Sequence, residues 1–163
     1  MPIYSDQLEI AFPGMKADSG FDRVESFPAG IAIPFGRVVV TNPAVTDRAN
    51  PVDNPPAFLP AAIANAKPRG GAVHSHTIVN TPDGYALYDC LSVMTKGLMW
   101  IEAAAATTIT VDSQLQYNAA GQAVASAGTA FEGAVVRSPV VTLASGKFIV
   151  LVEFQSPLDA DAT

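Results

Sequence analysis

The sequence predicts a mainly β fold, an antiparallel β-barrel or β-sandwich with an extended N-terminal arm and a long proline-rich loop. Eleven of the 13 prolines lie at or before Pro82, and proline cannot donate to a β-ladder, so continuous strands are expected after that point. There, runs rich in β-branched and aromatic residues alternate with glycine turns, as in antiparallel meanders. With 49% apolar and 15% charged residues, the 163-residue chain can bury one core.

Residues 1–34 are interpreted as the arm, because apolar side chains are spaced there between polar residues and prolines. The free energy gained by burying these side chains is smaller than the conformational entropy cost of ordering the backbone of the segment. The arm therefore needs a surface on which to dock. Its candidate contact residues are Tyr4, Phe12, Met15, Phe21 and Phe27. An alternative is that part of the segment forms the first strands of the domain, with Gly14, Gly20 and Gly30 in turns.

Residues 35–156 are interpreted as the β domain, followed by a flexible tail at 157–163. The run IPFGRVVVT predicts a first core strand beginning near Phe35. Residues 42–71 form an excursion rich in proline and asparagine, in which FLPAAIANA could form one short helix. Loops of this length in compact domains are usually functional, so we expect surface contacts here.

Three hairpins are expected in the second half of the chain. The first joins YDCLSVMT to LMWIEA through Lys96 and Gly97, and the second joins QLQY to AVAS through Asn118–Gly121. The third joins AVVRSPVVTL to KFIVLVEF through Ala144–Gly146. Because KFIVLVEF carries apolar residues on both faces, it is expected to be a central strand covered on both sides.

Net charge and hydropathy limit the classes of partner that the chain is expected to bind. The net charge is −6, with 15 acidic and nine basic residues, so the chain repels phosphate and nucleic acid is not an expected ligand. Its longest apolar runs are far shorter than the roughly 18 residues of a membrane span, and MPIYSDQLEI lacks a signal-peptide pattern. We therefore expect a soluble protein with no membrane partner. Cys90 lies in an apolar run, where a buried small side chain is the ordinary role.

The sharpest candidate for chemistry is His74-Ser75-His76, because alternate residues on a strand share a face and two imidazoles could bind one metal there. A cupin-like motif would need a glutamate and a third histidine, and the chain has only two histidines. A polar strand is therefore favoured over a metal-dependent enzyme. The sequence also contains neither a GxSxG elbow nor a phosphate loop. No catalytic, metal-binding or cofactor-binding residues are predicted, and no cofactor.

Two blocks of sequence resemble a known family. AFPGMKADSGFDRVESFPAG, followed by IPFGRVVV, is similar to the opening of the structural cement proteins of tailed bacteriophages, also called capsid decoration proteins. Asp83-Gly84-Tyr85, continuing to Lys96-Gly97 and Trp100, resembles a hairpin of the same family. The first block is the more specific, since its string has no generic structural reason to recur.

This resemblance implies a non-enzymatic virion protein that binds the outer surface of a phage capsid and clamps adjacent major capsid subunits. It implies two partners, the major capsid protein and the chain itself as a homotrimer, and assembly in the host cytoplasm. The arm residues would then contact the capsid or a neighbouring copy. The alternative is a glycan- or host-surface-binding β module displayed on a virion, with Tyr85, Tyr88, Trp100 and Tyr117 as stacking residues.

Overall fold

The computed structural model describes residues 10–17, 20–41, 56–64, 66–76 and 83–155. Tyr4, residues 42–55 of the excursion and the tail at 157–163 lie outside the described residues. Within them the chain forms one 3₁₀ helix, Pro60–Ala62, inside FLPAAIANA, and twelve strands. The strands are β1 Arg23–Pro28, β2 Ile33–Pro34, β3 Val38–Thr41, β4 Ala57–Phe58, β5 Lys67–Ala72, β6 Gly84–Tyr85, β7 Cys90–Ala103, β8 Gln114–Tyr117, β9 Ala123–Val124, β10 Thr129–Val136, β11 Val141–Thr142 and β12 Phe148–Phe154.

The strands form a β-barrel, which confirms the predicted mainly β fold. In the main sheet the order is β11-β12-β10-β8-β9-β7-β5-β3-β4, and β12 also pairs with β7. That additional pairing closes β12, β10, β8, β9 and β7 into a ring. Strand β1 adds to the first half of β7, and β2 pairs separately with β6. Strand β7 therefore joins the closed ring to the strands formed by the first half of the chain.

The expected hairpin at Lys96-Gly97 is wrong, because β7 runs without reversal from Cys90 to Ala103. Its first half pairs with β1 and β5, and its second half pairs with β12 from Gly97 onward. Gly97 has φ +122°, a conformation that favours glycine. Each half of the strand finds a partner from a distant part of the chain, so the glycine marks a change of partner instead of a turn.

The other two hairpins are confirmed. Strand β8 pairs antiparallel with β9, and β11 pairs antiparallel with β12. Strand β12 is also the covered central strand that was expected. The adjacent side chains of Ile149 and Val150 are both fully buried, although they belong to different apolar clusters. Both faces of β12 are therefore packed.

The core is divided into three apolar clusters. The largest fills the closed ring and includes Met99, Phe131 and Phe154. A second lies among the first three strands and the first half of β7, and it includes Phe27. A third, smaller cluster contains Ala11, Leu143 and Ile149, with Met15 and Trp100 packed against it. Residues of the predicted arm thus contribute to two of the three clusters.

Cys90 is exposed, which corrects the expectation that it is buried. It is the first residue of β7 and lies opposite Pro28 of β1. The next residue, Leu91, is fully buried in the second cluster. Because side chains alternate along a strand, Cys90 points to the outer face.

Candidate interaction surface

Residues 10–17, which we call the N-terminal segment, lie along the second half of β7. Gly14 N donates to Trp100 O at 2.8 Å, and Trp100 N donates to Met15 O at 2.9 Å. Ala17 N donates to Leu98 O at 2.9 Å, which extends the ladder. This half of β7 pairs with β12 as well. The segment is therefore held by main-chain hydrogen bonds, in addition to side-chain burial.

Phe12 and Met15, two of the predicted contact residues, are half-buried on this segment. The ring centroid of Phe12 lies 4.6 Å from that of His74 and 6.2 Å from that of His76. Met15 packs against the third cluster beside Trp100. Both side chains help to seat the segment on the barrel.

Phe21 and Phe27, which were both predicted to be contact residues of the arm, have opposite environments. Phe21 is 98% exposed, whereas Phe27 is 3% exposed in the second cluster. Phe21 stands beside a cavity of about 160 Å³, lined also by Leu98 and Phe154. Near it, Lys16 forms an ion pair with Asp22 and lowers the pKa of that carboxyl. Of the predicted contact residues in the described ranges, Phe21 has the largest exposed fraction.

The turn at residues 86–89 presents two further apolar side chains. Leu87 was not among the predicted contacts, and Tyr88 was considered only for glycan stacking. Leu87 is 48% exposed and Tyr88 is 82% exposed. Tyr88 also has φ +71°, which is uncommon for a bulky residue. The dipeptide lies between two strands, and nothing in its composition distinguishes exposed apolar residues from buried ones.

His74 lines a cavity of about 290 Å³, together with Phe12, Phe35, Asp83 and Lys147. The centroids of the His74 and His76 imidazoles are 4.6 Å apart. The polar strand expected here is wrong, because β5 ends at Ala72 and both histidines follow it. Burial lowers the pKa of His74, and the charge of the neighbouring imidazole lowers it further. In the part of the chain that the structure describes, no group of three or more histidine, cysteine or acidic side chains is arranged to hold a metal.

One partly buried ion pair connects the N-terminal strands to the ring. Arg37 Nη2 donates to Glu102 Oε1 at 2.9 Å, and Gln122 Nε2 donates to the same oxygen at 2.9 Å. Arg37 Nη1 also donates to Ala120 O at 3.1 Å. These bonds join the start of β3, the end of β7 and the turn before β9. Their role is architectural.

The four aromatic residues considered for glycan stacking are not assembled into one exposed site. Tyr85 and Tyr117 are buried, and burial raises the pKa of both hydroxyls. The Tyr85 hydroxyl donates to Val73 O at 2.6 Å. Trp100 is half-buried against the third cluster, which leaves Tyr88 as the exposed member.

In the described ranges, no helix has the length and apolar character needed to cross a membrane.

One comparison with known proteins identifies a family, and a second shows the same fold. The family model described as structural cement protein (E217 gp24/Pam3 gp6) matches residues 2–155. A chain of the solved capsid of Myoviridae phage XM1 has the same fold, with a TM-score of 0.69, 17% identity and coverage of 93% of this chain and 94% of that one. A search of the curated proteins found no match. The chain therefore belongs to the structural cement protein family and is a capsid-associated structural protein of a phage virion.

Proposed function

We propose that the chain binds the outer surface of a phage capsid and stabilises it by clamping adjacent major capsid subunits. The observation that carries this proposal is the match of the structural cement family over residues 2–155. The role is one of binding, with no catalytic step. The barrel is the rigid body in this proposal, and the chain's exposed apolar side chains are the contacts.

The geometry supports contacts at both ends of the N-terminal segment. Ile10, where the described segment begins, is 72% exposed, and Phe21 follows the segment at 98% exposed. Between them, main-chain hydrogen bonds hold Gly14–Ala17 to β7. Contacts made at these two points act on the barrel, because residues 14–17, which lie between them in the sequence, are held to β7. Phe12 and Met15 support the clamp by seating the segment, and Phe27 by filling the second cluster.

A homotrimer would suit the same function, with each copy placing its contacts on a different capsid subunit. Linked attachments raise the overall affinity by multiplying local concentration, without any new contact. Assembly would take place in the host cytoplasm, where expanded capsids are present. The mass of the free protein, measured by native mass spectrometry, tests the trimer directly.

The capsid function is tested with expanded capsids assembled without this chain. Purified wild-type protein is titrated onto them, and bound protein is measured by co-sedimentation. We expect saturable binding and a higher temperature of capsid disruption. Absence of binding would overturn the proposal.

The same assay tests the contacts near the segment. Deletion of residues 2–9 removes none of the described residues, and Phe21→Ser removes the most exposed aromatic ring among them. Either change should weaken binding, whereas Val111→Ser, at another exposed apolar side chain, serves as the matched control. Undiminished binding by both the deletion and Phe21→Ser would remove the arm as the anchor.

A further inference from the structure

The turn at residues 86–89 is an exposed apolar feature that the N-terminal contacts do not use. It displays Leu87 and Tyr88 as neighbours, 48% and 82% exposed. About half of Leu87 and most of Tyr88 are thus left exposed by the packing of this chain. Tyrosine is one of the residue types enriched among the anchors of protein interfaces.

The turn is held rigidly. Ala86 N donates to Asp89 Oδ2 at 2.7 Å, and Asp89 N donates to Ala86 O at 3.1 Å. Two further bonds join the turn to Ala29, which is fully buried: Tyr88 N donates to Ala29 O at 2.8 Å, and Ala29 N donates to Asp89 O at 2.9 Å. The backbone that carries Tyr88 is therefore ordered before any partner arrives, which lowers the entropy lost on binding.

Tyrosine at position 88 does not favour the fold. Its φ of +71° lies in the left-handed region, which glycine and asparagine adopt with less strain than a bulky residue. Its ring gains little from packing, because it is 82% exposed. An ordinary turn residue would be at least as stable here. Strain kept at an exposed side chain points to a role in contact with another molecule.

From these observations we propose that Tyr88, supported by Leu87, is an anchor that inserts into an apolar socket on a major capsid subunit. This inference rests on the proposed function and assigns it a second contact point. Asp89 is the acidic residue of the turn, so the socket should have a neutral or basic rim. A second copy of this chain fits less well, since a two-fold contact at the turn would bring its Asp89 towards this one.

The test exploits two effects of opposite sign. Tyr88→Asn removes the ring and places a residue that tolerates the left-handed conformation, so the melting temperature should stay the same or rise. Binding to expanded capsids lacking the chain should weaken at least about tenfold, as for the loss of an interface anchor. The matched control is Ala127→Gly, which relieves a similar φ of +59° at another exposed turn and should leave binding unchanged.

The outcomes separate this inference from the proposed function. If wild-type protein fails to bind capsids, the proposed function is overturned and the anchor with it. If wild-type and Tyr88→Asn proteins bind equally tightly, the anchor alone is overturned. Sedimentation velocity of both proteins in the absence of capsids is the third measurement. A Tyr88-dependent oligomer would assign the turn to a copy–copy contact and overturn the capsid socket, whereas identical sedimentation supports it.

Discussion

The imidazole rings of His74 and His76 lie with their centroids 4.6 Å apart, and burial together with the neighbouring imidazole lowers the pKa of His74. Phe12 and Phe35 contact His74, with ring centroids at 4.6 and 4.5 Å. Phe12 belongs to the N-terminal segment, and Gly14 O of the same segment accepts a hydrogen bond from His74 N at 2.8 Å. The protonation of His74 is therefore coupled to the position of the N-terminal segment on the barrel.

Lowering the pH should destabilise the fold even at pH values above those at which carboxylates titrate. The pKa of His74 is below its ordinary value of 6.5 in the folded chain, so the unfolded chain binds more protons as the pH falls past that value. Stability from this group is present above 6.5 and is lost as the pH falls through the lowered pKa. Thermal unfolding between pH 7.5 and 5 should show a falling melting temperature.

Substitutions at the two histidines and at two neighbouring charged residues test whether His74 is the cause of this pH dependence. His74→Gln should flatten the pH dependence, and His76→Gln should reduce it by removing the neighbouring charge. Asp83 and Lys147 line the same cavity, so Asp83→Asn and Lys147→Met report any contribution from them. A dependence that survives in His74→Gln would contradict the assignment.

Loss of the Glu102 carboxylate should destabilise the barrel strongly. Glu102 accepts hydrogen bonds from Arg37 and Gln122, and the side chains of the ion pair are only 14% and 11% exposed. Glu102→Ala leaves the guanidinium without its charged partner, at a cost of about 3 kcal/mol in the free energy of unfolding. Urea denaturation measures this. Asp112→Asn neutralises one partner of an exposed pair with Arg137 and keeps a residue that tolerates the left-handed φ of +61° at this position. It should have little effect, and an equal loss in both variants would contradict the role given to the Glu102 ion pair.

Gly70 is expected to tolerate no side chain. A Cβ added there would overlap the carbonyl oxygen of Met94 on β7, and a backbone atom cannot move aside as a side chain can. Gly70→Ala should therefore lower the free energy of unfolding by about 3 kcal/mol, at the upper end of overpacking effects. Gly146→Ala is the control, since nothing lies within 4 Å of its added Cβ and only its φ of +81° opposes the change. A smaller loss at position 70 than at position 146 would contradict the close approach of β5 to β7.

Phe21 and Phe27 should separate binding from stability. Phe27→Ala removes a buried ring and should cost about 3–5 kcal/mol of unfolding free energy, whereas Phe21→Ala should change it by less than about 0.5 kcal/mol. In the capsid-binding assay the effects should be the opposite of those on stability. Phe21→Ala should bind more weakly than the wild type, whereas Phe27→Ala should bind normally at a temperature at which it is still folded. Chemical denaturation and co-sedimentation together check this pair.

Periodicity in the sequence was sufficient for the parts of the fold whose information is local. Strand β12 could be predicted as a covered central strand because its apolar residues occupy both faces. The hairpins at β8–β9 and β11–β12 followed from short turns between strand-like runs. The hairpin predicted at Lys96-Gly97 failed because a glycine supplies the same local signal for a turn and for a change of strand partner. That choice depended on β1 and β12, which come from distant parts of the chain.

The sequence by itself determined the mainly β class, the family and the net negative charge of −6, because composition, motif and charge require no knowledge of contacts. Only the tertiary structure decided which apolar side chains are free. Phe21 and Phe27 are the same residue type six positions apart, yet one is exposed and the other lies in the core. The same holds for Cys90 and Leu91, and for Tyr88 and Tyr85. Alternation along a strand says that neighbours face opposite ways, but the packing of distant strands decides which way is inward.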